Sequence, residues 1–172
     1  MPLLKNGKEV EDPWHLAVDG DTLPADGPVI VFLPRWKAER EALLRRNSGV
    51  GVRLKNTDKV AELADDLDRL GVVALEFPKF SDGRAYTQAR LLRERYAYRG
   101  ELRATGNVLP DQLLFMHRCG FDAFEATDSR VLRNWENVVG AFSLFYQPTG
   151  DGRATVTNLR HTRAASDNEG SR

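Results

Sequence analysis

Hydrophobic residues in this chain fall into short continuous runs that alternate with segments of helical spacing. The clearest run covers residues 72–75, and an uninterrupted apolar stretch is typical of a strand covered on both faces. Phe77-Pro78 ends it, because proline has no amide donor for the ladder. A polar turn, a helix over residues 84–96 and a strand over 101–105 follow. Residues 71–106 therefore predict one βαβ unit.

The same alternation of strand and helix continues along most of the chain. Further strands are predicted over residues 29–33, 49–54 and 121–125, and the predicted helices cover residues 35–46, 60–70, 84–96, 110–118 and 129–146. About five βα units in series predict an α/β fold with a mostly parallel sheet and right-handed crossovers. An open doubly wound sheet fits this order. A partial or modified (β/α) barrel is the alternative, because charged residues near several strand ends also suit a barrel.

Two shorter segments flank these units. Asn6-Gly7 between two strand-like pieces predicts a hairpin, within a loop-rich lead over residues 1–27. Residues 155–159, TVTNL, predict a short added strand. We expect one domain over residues 1–163 and a disordered polar tail over residues 164–172.

Composition narrows the class of protein further. The length of 172 residues suits one domain, and the zero formal net charge argues against an electrostatic nucleic-acid binder. The apolar runs are too short to span a membrane, and the start does not resemble a signal peptide. The one cysteine, Cys119, excludes an intrachain disulfide. These features predict a cytoplasmic domain with no membrane partner.

The predicted strand ends carry many cations and amide donors. The carboxyl ends of parallel strands meet at one edge of a sheet, where α/β folds bind ligands. Such side chains, with free N–H groups at helix starts, suit a small oxyanion. The candidate anion-binding residues are Lys55, Lys79, Arg84, Arg103 and Asn107. The alternative is structural: Asp82 caps its helix and Arg84 pairs with a nearby carboxylate.

Two carboxylates at this edge, Glu76 and Asp82, are candidates for proton transfer. The sequence leaves open whether the protein is an enzyme.

The sequence contains no glycine-rich dinucleotide motif, phosphate-binding loop, nucleophile elbow or C-x-x-C pair. No cofactor is therefore evident. The histidines, His15, His117 and His161, lack ligand spacing, so no metal site is expected.

The helix over residues 84–96 and its surroundings are rich in arginine. Six arginines lie between Arg84 and Arg103, against Glu94 and Glu101. One interpretation is a docking face for an acidic partner, such as an electron carrier or a reductase, with Arg90, Arg93 and Arg95 as the contact residues. The other is a solvated helix face with ordinary ion pairs.

Two segments carry a resemblance to a known group of proteins. EFPKFSDGRAYTQARLLRER and GELRATGNVLPDQLLFMHRCGFDAFE resemble a bacterial family of uncharacterised proteins, over roughly residues 28–147. Members are commonly encoded beside genes of assimilatory sulfite and phosphoadenylyl-sulfate reduction and are described as oxidoreductases of sulfite reduction. The resemblance implies an accessory role in that pathway, through binding to sulfite reductase or its electron donor. It assigns no catalytic residue. Apart from the resemblance, the predicted sheet would suit a homodimer, because a second copy could cover its exposed edge strand.

Overall fold

Eight strands form one sheet in the computed structural model, which describes residues 3–125, 135–140, 143–149 and 153–160. The strands are β1 (Leu3–Lys5), β2 (Lys8–Val10), β3 (His15–Ala17), β4 (Val29–Phe32), β5 (Val50–Leu54), β6 (Val72–Phe77), β7 (Glu101–Gly106) and β8 (Ala123–Glu125). Their spatial order is β2-β1-β8-β7-β6-β5-β4-β3. The two edges are therefore the short strands β2 and β3.

Strand direction confirms the prediction of a mostly parallel sheet. Strands β3 to β8 run parallel to their neighbours, while β1 pairs antiparallel with both β2 and β8. The sheet curls into a half-barrel. The doubly wound layout and the count of five βα units are not confirmed.

The described helices pack on the same face of this sheet. They are α1 (Leu33–Leu44), a 3₁₀ helix (Val60–Arg69), α2 (Arg84–Arg90), a π-helical turn (Leu91–Arg95), a short 3₁₀ helix (Pro110–Gln112), α3 (Leu113–Arg118) and α4 (Trp135–Val139). Buried side chains from six of these helices join one core: Trp36, Leu63, Ala89, Leu92, Met116 and Trp135. None of the helices described is long and apolar enough to cross a bilayer.

Alternation along the strands separates this core from the opposite face. Val73 and Leu75 of β6 belong to the core, whereas Val72 and Ala74 form a small separate cluster with Ile30. Side chains of successive strand residues point to opposite faces, so the same rule applies to β7. The helix-covered face is thus apolar, and the opposite face is free to carry charge.

The helix after β5 is of the 3₁₀ type, which explains a buried carboxylate. Residues three apart eclipse each other in a 3₁₀ helix, so Val60, Leu63 and Asp66 lie in one buried row. Asp66 accepts two hydrogen bonds from Arg40, one of them from Nε at 2.6 Å. A helix is confirmed here, and the ion pair satisfies its buried carboxylate.

The amino-terminal hairpin is confirmed. Asn6 and Gly7 both have positive φ, 50° and 81°, as a tight turn between β1 and β2 requires. The hairpin is also part of the main sheet, because β1 pairs with β8. Strand β3 lies within the predicted loop-rich lead over residues 1–27, because a three-residue strand carries little periodicity.

Two predictions near the carboxyl end were wrong. Helix α4 ends at Val139, not near Tyr146, and Gly140 follows it as a residue that favours helix termination. Residues 156–160 are helical, so the predicted strand reduces to one bridge between Thr155 and Phe145. The predicted start of the last helix and the tail over 164–172 lie outside the described residues.

Candidate functional site

Charged side chains collect on the face of the sheet that carries no described helix, here called the polar face. The register places Arg53 of β5 beside Ala74 of β6, and Ala74 beside Arg103 of β7. With strands roughly 4.8 Å apart, the two arginine backbones lie about 10 Å from each other across the alanine. One step toward the strand carboxyl ends, Glu76 lies beside Thr105. The polar face therefore presents two arginines in one row, with a carboxylate at its carboxyl side.

Arg103 is the centre of a saturated ion-pair network. Its side chain is 1% exposed, and its guanidinium donates to Asp12 (2.7 Å), Glu101 (2.8 Å) and Glu125 (3.4 Å). Glu101 also forms an ion pair with Lys5, whose Nζ atom lies 2.7 Å from Glu101 Oε2. Burial alone would lower the pKa of Arg103, but the hydrogen bonds and charges of Asp12 and Glu101 outweigh it and raise the pKa. The network joins β1, β7, β8 and the segment before β3.

Arg53 occupies the same row but has a different environment. Its side chain is 14% exposed, and it forms no hydrogen bond within the described part of the chain. The Nη2 atom lies 3.8 Å from Glu76 Oε1, which is an ion-pair distance but too long for a hydrogen bond. The guanidinium carbon lies 5.6 Å from the centre of the Phe32 ring. The Nε atom is buried without a partner in the described residues.

The loop between β6 and α2 holds a second, separate group. Asp82 accepts hydrogen bonds from Arg84 Nε (3.0 Å), Arg84 Nη2 (2.6 Å) and Asn56 Nδ2 (2.6 Å). The hydrogen bonds from Arg84 are the main reason that the pKa of Asp82 falls from 3.8 to about 2. Arg84 thus pairs with a carboxylate, as the structural interpretation of this loop predicted.

The five predicted anion-binding residues do not form one cluster among the described contacts. Arg84 belongs to the group around Asp82 and Arg103 to the network on the polar face. The other three, Lys55, Lys79 and Asn107, are exposed near the strand ends, and within the described part of the chain no side-chain hydrogen bond or ion pair joins them to either arginine. Of the two proton-transfer candidates, Glu76 faces Arg53 and Asp82 faces Arg84.

The arginines of the helical segment 84–95 divide into inward and outward groups. Arg93 points inward: it donates to the carbonyls of Tyr98, Gly100 and Gly120 and pairs with Asp122 at 2.8 Å. Gly120, with φ +101°, leaves no room for a Cβ beside the Arg93 side chain. The inward arginine thus fastens this segment to the turn before β8.

The outward arginines remain on the surface. Arg90 is exposed and pairs with Glu94 at 3.0 Å, one helical turn away. Arg95 is exposed and forms no ion pair in the described part, and its guanidinium carbon lies 5.7 Å from the centre of the Tyr96 ring. These two predicted docking residues are accessible to a partner, whereas Arg93 is mostly buried.

Comparison with known proteins places the chain in a family. The model of a family described as "Bacterial protein of unknown function (DUF934)" matches residues 51–157, more than half of the chain. The chain belongs to the DUF934 family. The DUF934 match begins in β5 and includes Arg53, Glu76 and Arg103, whereas Asp12 lies before it. No curated protein matches the chain.

Sequence reasoning missed three residues around Arg103, namely Lys5, Asp12 and Glu101, and it did not show that the Arg53 side chain lacks a hydrogen-bond partner among the described residues. A signal for the polar face was present in β7, where Glu101, Arg103 and Thr105 alternate with apolar residues. Such alternation indicates a strand with one polar face. The partners from the first twelve residues had no such signal, because Asp12 and Arg103 are 91 positions apart.

Cys119 and His117 belong to α3 and its carboxyl end, on the helix-covered side of the sheet. Cys119 is buried in the core, and the His117 ring meets the Trp135 ring edge-on at 5.3 Å. Within the described ranges, no group of three or more histidine, cysteine or carboxylate side chains could hold a metal ion.

Proposed function

We propose that this protein is an accessory protein of assimilatory sulfite reduction, and that it binds the sulfite reductase or the protein that delivers electrons to it. Two things support the proposal. One is the resemblance of the segments around residues 75–94 and 100–125 to proteins encoded beside genes of that pathway. The other is a cationic surface on the segment 84–95 and the adjoining 3₁₀ helix. We call it the arginine surface, and it consists of Lys59, Arg84, Arg90, Leu91 and Arg95.

The shape of the arginine surface is the observation that carries the docking proposal. Two adjoining grooves, of about 230 and 420 Å³, share the side chains of Thr87, Leu91 and Arg95. Leu91 is 37% exposed between them, with cationic groups on both sides. A central apolar side chain with a charged rim is the common arrangement of protein interfaces. The grooves therefore suit side chains of a partner protein.

Charge decides which kind of partner fits. Arg84 and Arg90 are partly neutralised by Asp82 and Glu94, whereas Lys59 and Arg95 form no ion pair among the described residues. The surface is therefore locally cationic in a chain of zero formal net charge. Such a surface favours an acidic partner and mainly raises the association rate, an effect that salt screens.

Association with the two candidate partners tests the proposal. We expect the purified protein to bind sulfite reductase or its electron donor in surface plasmon resonance at low salt, with affinity falling as salt rises. The double variant Arg90→Glu and Arg95→Glu should lower the association rate by roughly tenfold or more. The matched control, Arg45→Glu with Arg69→Glu, makes the same change of charge at two other exposed arginines, one just after α1 and one at the end of the 3₁₀ helix.

The control double variant should bind like the unchanged protein. Equal loss in both double variants would mean that net charge, and not this surface, governs association. Absence of salt-dependent binding to either partner would remove the docking mechanism.

A further inference from the structure

We propose that Arg53 and Glu76 form a binding site for a small oxyanion that retains a proton, such as a monohydrogen or dihydrogen phosphate-type anion. Arg53 would bind the anionic oxygens, and the Glu76 carboxylate would accept a hydrogen bond from the remaining hydroxyl. The site lies on the polar face near the strand carboxyl ends, where parallel sheets bind ligands. It is separate from the arginine surface, so either proposal can fail without the other.

The hydrogen-bonding state of Arg53 points to a ligand. A guanidinium carries five N–H donors, and a buried donor without a partner destabilises a protein. Arg53 makes no hydrogen bond within the described residues, and its Nε atom is buried. The planar fork of an arginine matches two oxygens of an oxyanion at once. A bound oxyanion would therefore satisfy the terminal Nη donors of Arg53, which no described side chain reaches within hydrogen-bond distance.

Arg103 provides an internal comparison in the same row of the sheet. Its three carboxylate partners, at 2.7 to 3.4 Å, take up its donors. A structural arginine on this face is thus surrounded by acids. Arg53 has one carboxylate near it, at 3.8 Å and outside hydrogen-bond range. The contrast indicates that Arg103 holds the sheet together and that Arg53 is available to bind.

The side chains next to Arg53 on the polar face do not accept hydrogen bonds from it. Ala74 separates the two arginines with only a methyl group, and the Phe32 ring lies under the Arg53 guanidinium. The Thr105 hydroxyl donates to the Leu75 carbonyl at 3.3 Å, so it is engaged with the backbone. The site thus consists of one guanidinium and one carboxylate, with an alanine and an aromatic ring beside them.

Glu76 determines which oxyanions fit. An ionised carboxylate only accepts hydrogen bonds, so it attracts an anion that carries an O–H and repels one that has none. Glu76 also lies close enough to Arg53 to offset part of its charge. The pair therefore favours a protonated anion over a fully deprotonated one of the same shape. Phosphate and sulfate are the pair of probes that separates these cases.

Isothermal titration calorimetry of the full chain tests the site. Slightly below neutral pH, phosphate carries a hydroxyl and sulfate does not, and sodium chloride keeps the ionic strength equal. We expect saturable binding of phosphate to one site and binding of sulfate that is weaker by roughly tenfold or more. Arg53→Met should weaken phosphate binding by at least about tenfold. Glu76→Gln should remove the preference, because its amide can donate to sulfate.

Two controls keep the result interpretable. Arg35→Gln removes an arginine just after the carboxyl end of β4 that is 12% exposed and already paired with Glu39, and phosphate binding should not change. The near-ultraviolet circular dichroism of Arg53→Met should match that of the unchanged protein. If Arg53→Met loses its fold, Arg53→Lys replaces it, and it should bind phosphate more weakly because it lacks the fork. No saturable phosphate binding, equal binding of phosphate and sulfate, or an equal effect of Arg35→Gln would overturn the proposal.

Discussion

Replacement of Arg103 by methionine tests whether the polar face is a structural element of the fold. Methionine keeps most of the side-chain length and removes the charge. The Glu101 carboxylate, 6% exposed, would then keep only Lys5 as a cation. Asp12 and Glu125 are 24% and 16% exposed, so water can partly replace the lost contacts.

The expected loss of stability follows from this difference in burial. Removal of one partner of a buried ion pair costs about 3–5 kcal/mol, because the other charge stays buried. Lys5 still neutralises Glu101, so we expect a value near the lower end, about 3 kcal/mol. For a chain of this size the melting temperature would fall by roughly 6–12 °C.

The matched control is Arg53→Met in the same row of the sheet. Arg53 makes no hydrogen bond among the described residues, and its ion pair with Glu76 is long at 3.8 Å. Without an added anion, an apolar side chain of similar length should change the free energy of unfolding by at most about 1 kcal/mol in either direction. The effects of Arg103→Met and Arg53→Met on the free energy of unfolding should thus differ by about 2 kcal/mol or more.

Urea unfolding monitored by tryptophan fluorescence measures this difference, since the chain has three tryptophans. The Arg103→Met variant should have a lower midpoint with little change in slope. Adding Glu101→Gln should recover part of the loss, because it removes the charge left without its main partner. A loss below about 1 kcal/mol for Arg103→Met, or an equal loss for Arg53→Met, would refute the reasoning.

Further predictions concern the contacts around α2 and β7. Arg93→Met should lower the free energy of unfolding, measured in urea, by about 2–4 kcal/mol. The reason is that three carbonyls and the Asp122 carboxylate lose the hydrogen bonds that Arg93 donates. The control Arg95→Met, at an exposed position, should change this free energy by no more than about 0.5 kcal/mol. By NMR, Asp82 should titrate near pH 2, and in Arg84→Met its pKa should return toward 3.8. Its folded pKa is lowered, so its contribution to stability is present above pH 3.8 and is lost as pH falls toward 2. Thermal unfolding of Tyr98→Phe should show a loss of about 1–2 kcal/mol, because its buried hydroxyl donates to backbone carbonyls.

Continuous apolar runs made the central strands predictable, but two features depended on local geometry. Residues 72–75 could be identified because a strand covered on both faces needs apolar side chains throughout. The end of α4 at Val139 could not, because Trp135 and Val138 suited the predicted helix and Phe145 continued its spacing. Phe145 instead pairs with Thr155, a contact that spacing alone does not encode.

The curl of the sheet also could not be predicted from the hydrophobic pattern of the sequence. Five apparent βα units are compatible with helices on both faces or on one face. The distinction depends on which side of the sheet each helix packs, and the cores of the described helices join one cluster. In β7, polar and apolar residues alternate over Glu101-Leu102-Arg103, and this alternation indicates the polar face of the sheet.

The position of the candidate site could be predicted from the sequence, but the residues that form it could not. Ligand sites follow strand carboxyl ends, and Arg84 and Glu76 do lie there. Their partners depend on side-chain directions, so Arg84 pairs with Asp82 two residues away and Arg103 pairs with Asp12 across 91 positions. A list of charges near strand ends cannot separate a satisfied arginine from one that is free to bind.

Growth of a deletion strain on different sulfur sources tests the proposed function most directly. In a bacterium with no second copy of the gene, the account predicts failure to grow on sulfate and on sulfite, with normal growth on sulfide. The unchanged gene should restore growth, and the allele with Arg90→Glu and Arg95→Glu should restore it less well. Normal growth of the deletion strain on all three sources would contradict a role in sulfite reduction.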